Sequence, residues 1–193
     1  MTEHKKTGNT REILIAAGLE ELNRYGVAGF STRRVAKNCG LSCATPYRHF
    51  KDTDEFISAI LTHINQLYDE DLDRTLRRCE GMDTRQKLVE VSLGFIRFLV
   101  QHPQFRRVIM QTVEYTGDNI RALRGQLTQR TYDVVSEYCR EVDMPDDVRL
   151  RKTFVVRAII YCSALFFDNG ELEFNEESMQ VMRGLLEREF DLP

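Results

Sequence analysis

Apolar residues recur along this chain at helical spacing, in blocks separated by glycine, proline or short polar turns. Ile15, Gly18, Leu19 and Leu22 share one face of a first helix. Asn9, with Glu12 three residues on, predicts a capping-box start for it, and Gly26 and Gly29 predict its end. Residues 1–8 are polar and read as a short flexible arm without a secretion signal. A second, short helix follows Ser31, whose hydroxyl is placed to cap the first turn. Its pattern turns Val35 and Ala36 inward and Arg33, Arg34 and Lys37 outward. Gly40 supplies a left-handed stop, Leu41 plugs the bend, and Ser42 caps a third segment carrying Tyr47 and Phe50. Helix, glycine turn and helix in this order form the helix-turn-helix pattern, whose second helix lies in a DNA major groove.

Asp52 and Glu55 predict another capping box, opening a long helix in which Phe56, Ile57, Ile60, Leu61, Ile64, Leu67, Tyr68, Leu72 and Leu76 keep helical spacing to about Cys79. At ~1.5 Å per residue this rod is on the order of 40 Å long. Gly81 interrupts it, and Asp83 with Gln86 caps a helix that runs to His102. That helix is apolar on two sides and is therefore expected to be central. Further helices are expected over 104–115, stopped by Gly117, and from Asp118 to near Pro145. From 155 to 167 nearly every residue is apolar or small, Arg157 and Ser163 excepted, so this helix must bury a second face against something. Asn175 caps a last helix with Glu176 and Glu177 in its first turn and Met182, Leu185, Leu186 and Phe190 in its stripe.

The whole reads as an all-α protein of 193 residues, 42% hydrophobic and 30% charged. The longest apolar run, 158–167, is far below the ~18 residues of a membrane helix, so no membrane association is expected. Five cysteines at 39, 43, 79, 139 and 162 form no CxxC pair or zinc spacing, which suits a reducing cytoplasm. Cys43, at a helix N-terminus, could have a lowered thiol pKa and sense redox state together with Cys39; plain packing is the commoner role of such residues. Charge is uneven. Residues 22–51 hold Arg24, Arg33, Arg34, Lys37, Arg48 and Lys51 and no acid, on a chain of net charge −3. A duplex would meet one basic face on an acidic body. No phosphate-cradling glycine loop, Gly-x-Ser-x-Gly, His-Glu-x-x-His or paired Glu-x-x-His occurs, so neither enzyme, metal nor cofactor is expected.

Residues 10–57 resemble the DNA-binding domain of the TetR (tetracycline-repressor-like) family of bacterial regulators. The resemblance is carried by Gly26, Ser31, Val35-Ala36, Gly40-Leu41-Ser42 and Thr45-Pro46-Tyr47-Arg48-His49-Phe50. It implies an N-terminal three-helix helix-turn-helix domain over 1–52 and a C-terminal helical effector-binding and dimerisation domain over 53–193. It places Ser31, Ser42, Tyr47 and His49 on phosphates and Cys43, Ala44 and Thr45 before base edges, with Arg33 and Arg48 able to do either. Arg34 and Lys51 complete the expected DNA-facing set. Cys43 and Thr53 stand where the family often has basic residues, and Pro46 predicts an irregular start to the reading helix.

The resemblance also implies a homodimer through the last two helices, here expected to use Ala158, Ile159, Cys162, Leu165, Phe166, Met182, Leu185 and Leu186. A small apolar effector would lie among Phe95, Phe98, Leu99, Met110, Tyr115, Tyr132 and Phe166, with His63, His102 and Glu114 as candidate polar anchors. The expected function is a repressor released from a palindromic operator by that effector. The departures at Cys43, Pro46 and Thr53 suggest the rival, a helical ligand-binding protein that has lost sequence-specific DNA binding.

Overall fold

The computed structural model describes the backbone of residues 3–103, 105 and 118–191, and the side chains of 10–103, 105 and 129–191. Among these residues the protein is all-helical: α1 (Glu3–Tyr25), α2 (Thr32–Asn38), a 3-10 turn (Pro46–Arg48), α3 (Thr53–Arg78), α4 (Thr84–Gln101), α5 (Asp118–Glu141), α6 (Asp146–Asp168) and α7 (Glu176–Asp191). The helix expected over 104–115, with Met110, Glu114 and Tyr115, lies outside the described residues. The chain divides into two compact units, residues 1–67 with 104–127, and 68–103 with 128–193. The boundaries at Leu67/Tyr68 and Leu127/Thr128 fall inside α3 and α5, so each of these two helices contributes to both units.

In the first unit, α1 begins at Glu3 and not at Asn9. Its first two turns carry no apolar stripe, so hydrophobic periodicity gave no sign of them. Leu14, Ile15, Leu19 and Leu22 are buried as their spacing predicts. Gly18 allows α1 to approach α3: a Cβ there would stand 2.7 Å from Ile60 and 3.1 Å from Phe56. Phe56 is the centre of an aromatic cluster. Phe50 stacks on it with centroids 4.1 Å apart, and Phe30 meets it edge-on at 5.5 Å.

In the second unit, α4 is the central helix that its two stripes predict, with Leu88, Val89, Val91, Leu93, Phe95, Ile96, Phe98 and Leu99 all buried. Both bonds of the Asp83–Gln86 capping box are present, at 2.7 and 3.2 Å. Helix α4 packs against α6 and α7, and α6 against α7. Polar ties fix this packing. Thr84 donates to Glu141 at 2.7 Å, Arg183 pairs with Glu90 at 2.5 Å, and Arg130 pairs with Asp73 at 2.5 Å. The Tyr68 hydroxyl lies 2.7 Å from that of Thr131, and burial pushes the phenol up to about 12, so it stays neutral.

Candidate nucleic-acid interface and effector cavity

The basic window is built on α2 and the turn that follows it. Ser31 has extended backbone, and its hydroxyl accepts the amide of Arg34 at 3.3 Å, so the expected cap is formed. Gly40 sits at φ +67°, and the amide of Leu41 reaches back to the carbonyl of Ala36 at 2.9 Å. This six-residue return is the Schellman arrangement that a left-handed glycine permits. Val35 and Ala36 are fully buried, which turns Arg33 and Lys37 to solvent.

The segment after the glycine departs from an α-helix further than expected. Only a 3-10 turn forms, at Pro46–Arg48. Proline has no amide to give to the carbonyl of Ser42, and the amide of Thr45 takes that carbonyl instead, at 2.9 Å. The Ser42 hydroxyl bonds to the Thr45 hydroxyl at 2.9 Å. Pro46 and Phe50 are buried, and this anchoring leaves Cys43, Ala44, Tyr47 and Arg48 exposed, with Thr45 and His49 half-buried. Lys51 is exposed as well, and its amide is held by Glu55 at 2.7 Å. The capping box at Asp52 is therefore shifted: Asp52 accepts the Glu55 amide at 2.8 Å, while Glu55 reaches one residue further back, to Lys51.

Arg34 corrects the charge count. Its Nε donates to Glu21 at 2.8 Å, its terminal nitrogen pairs with the same carboxylate at 2.6 Å and with the carbonyl of Gly29, and the guanidinium covers Tyr25 at 4.3 Å. Glu21 is only 3% exposed and also accepts the amide of Ser31 at 3.1 Å. Arg34 is thus a structural cation that locks α2 to α1, and the basic charges left facing outward are Arg24 on α1 and Arg33, Lys37, Arg48 and Lys51 on α2 and the segment after it. Glu21 lies one residue before the acid-free window, so a count confined to that window misses it. The Cys39 thiol is pushed up by burial, the reverse of what a redox-sensing thiolate requires.

The second unit contains a cavity of about 180 Å³ between α4, α5 and α6, with Phe190 of α7 also in its lining. Of the expected effector residues, Phe95 and Tyr132 line it. Phe98 and Leu99 are core and do not, and Phe166 is exposed on the other side of α6. Neither His63 nor His102 lines it; His102 packs on Phe98 at 4.7 Å, and its pKa is lowered by burial. The wall adds Val135, Val156 and Ile160, and three cations that were not among the expected effector residues: Arg149, Lys152 and Arg157. Among the described residues no carboxylate lines it. Lys152 is 5% exposed and donates to the carbonyl of Glu189 at 2.5 Å, with the Glu189 carboxylate 3.9 Å away.

The residues expected at a dimer interface separate into two sets. Met182 and Leu186 are 6% and 0% exposed, buried by their own subunit, and have almost no area left for a partner. Cys162, Leu165, Phe166 and Leu185 are exposed, and Ala158 and Ile159 half-buried. Val181 and Phe154, which the sequence pattern did not single out, are exposed on the same helices at 55% and 74%.

Residues 14–60 match the family model described as bacterial regulatory proteins, tetR family. These residues therefore carry the helix-turn-helix domain of that family. The family is one of transcription regulators and not of enzymes. Among similar proteins, the nucleoid occlusion factor SlmA of Vibrio campbellii is 26% identical over 182 residues, covering 90% of this chain and 84% of that protein. A TetR-family transcription regulator from Marinobacter aquaeolei VT8 has the same fold, with a TM-score of 0.76, 20% identity and 98% of both chains covered. AibR, solved with isovaleryl coenzyme A and operator DNA, superposes with a TM-score of 0.72 at 14% identity, covering 91% of this chain and 96% of that one. No helix among the described residues is long and apolar enough to cross a membrane.

Proposed function

We propose that this chain is a cytoplasmic homodimeric repressor of the TetR family that leaves a near-palindromic operator when a small effector enters its body. The observation that carries the reading is the outward set Arg33, Lys37, Arg48 and Lys51, mounted with Tyr47 on a capped and buried scaffold. Serine, tyrosine and histidine groups at Ser31, Ser42, Tyr47 and His49 would bond phosphates and set the register, while Cys43, Ala44 and Thr45 would meet base edges. The exposed apolar residues Leu165, Phe166, Val181 and Leu185 would pair with those of a second copy. The cavity wall supports an effector with an apolar body and an acidic end, the latter facing Lys152 and its neighbouring arginines. A dry cavity of about 150 Å³ admits benzene, so one of this size suits a short acyl or aromatic acid. AibR, seen with both an acyl-coenzyme A and operator DNA, supports coupling between such a body and a DNA-reading head.

Selection of bound sequences from random duplexes tests the reading. Two half-sites of inverted symmetry, centred about one helical turn (~34–36 Å) apart or a multiple of it, are the expected result. Recovery of no enriched sequence would favour the second reading, a helical ligand-binding protein that does not read sequence. The observation on that side is the short 3-10 turn standing where a reading helix is expected.

A further inference from the structure

A groove on the second unit, away from the effector cavity, gathers four arginines. Arg74, Arg77 and Arg78 lie one turn apart on α3, and Arg97 with Gln101 lies one turn apart on α4. Gly94 forms part of the lining and lets the helices close up: a Cβ there would stand 3.1 Å from the Thr75 hydroxyl. The groove encloses about 620 Å³.

Among the described residues its charge is only partly compensated. Asp71 is the one carboxylate among the described residues of the lining, and Arg74 holds it at 2.8 Å. Two nearby acids are engaged from outside, Asp73 by Arg130 at 2.5 Å and Glu90 by Arg183 at 2.5 Å. Arg78 donates to Thr75 at 3.2 Å, and Arg77 adds a longer-range attraction to Asp73. Among the described residues, no carboxylate comes within ion-pair distance of Arg77, Arg78 or Arg97. Three guanidinium forks therefore face one groove on a protein whose formal charge is −3.

We propose that this groove binds a di- or triphosphate group. Guanidinium groups match phosphate oxygens two at a time, and three of them from two helices can hold adjacent phosphates where a single monoanion would engage only one or two. The Gln101 amide adds a neutral donor at the end of the row. The site is distinct from the basic face of the head and stands whether or not the chain represses transcription.

The test is calorimetric titration of the full-length protein with inorganic pyrophosphate, ADP, orthophosphate and sulfate at low salt. Pyrophosphate is expected to bind at least tenfold more tightly than orthophosphate or sulfate, and the double variant Arg77→Gln/Arg97→Gln to lose at least tenfold. Both side chains reach solvent, and unchanged helical circular dichroism and melting temperature would confirm that the variant folds. Arg48→Gln, in the head, is expected to leave pyrophosphate affinity unchanged. ADP binding more tightly than pyrophosphate would identify a nucleotide as the source; equal affinity would identify the bare oligophosphate. The proposal is overturned if the double variant binds pyrophosphate like the parent, or if sulfate binds equally well. It is also overturned if the double variant weakens binding to a random duplex while pyrophosphate binds to neither protein.

Discussion

The two units handle positive charge in opposite ways. In the first, one buried acid, Glu21, fixes one arginine, and the other cations of α2 and its following turn face solvent on short, well-anchored elements. In the second, a lysine is drawn inside: Lys152 is nearly inaccessible and donates to the carbonyl of Glu189, whose carboxylate lies 3.9 Å away. A solvent-facing cation costs little to keep and gains by meeting a polyanion that releases counterions. An enclosed cation is expensive to desolvate and gains most from a compact anion brought into the same space. The difference fits the proposed reading, in which the head meets a long charged polymer and the body a small molecule.

The largest expected effect lies in the support of the head. Phe56→Ala removes the ring between Phe50 and Phe30 and should destabilise the protein by about 3–5 kcal/mol, read by chemical denaturation, with loss of duplex binding. Glu21→Ala comes next. It strips Arg34 and the Ser31 amide of a buried acceptor, and with Arg34 partly solvated the loss should be about 1–3 kcal/mol.

Arginines 34 and 48 sharpen the comparison directly. Arg34→Gln should lower the melting temperature and leave the salt dependence of duplex binding unaltered. Arg48→Gln should do the reverse, leaving the melting temperature in place and reducing the salt slope by about 1. An equal salt effect from both would erase the distinction drawn between them. The smallest effect belongs to His102. Burial lowers its pKa, so the unfolded chain takes up the proton first as pH falls below the ordinary value of 6.5. Stability should therefore decline below about pH 6.5, and His102→Gln should flatten that part of a melting-temperature profile.

The head was legible because its signals are local. Ser31, Gly40 and the buried pair Val35-Ala36 act within a few residues of one another, and each does in the structure what its position predicts. What was hidden there had no local sign: the polar first turns of α1, and the acceptor Glu21, ten residues before the amide that it holds. Pro46 announced an irregularity but not its extent, since losing one bond from so short a segment removes the α-helix altogether.

The body was legible only as helices. Periodicity tells which face of α4 or α7 is apolar, but a cavity arises where three or four such faces fail to fill the space between them. Phe95 and Tyr132 could be guessed as aromatic residues; Lys152 could not, because its burial depends on the end of α7, 37 residues away. For the same reason Met182 and Leu186 looked like partner-facing residues and are core, whereas the exposed apolar positions of α7 are Val181 and Leu185.

Titrating duplex affinity against salt tests the central claim most directly. Each phosphate contact adds about 0.9 to the slope of log affinity on log salt. The parent protein should show a slope of several, and Arg33→Gln/Arg48→Gln/Lys51→Gln should reduce it by about 3 without lowering the melting temperature. A folded parent that binds no duplex at low salt, or a triple variant with the parent's slope, would contradict the assignment of this face to DNA.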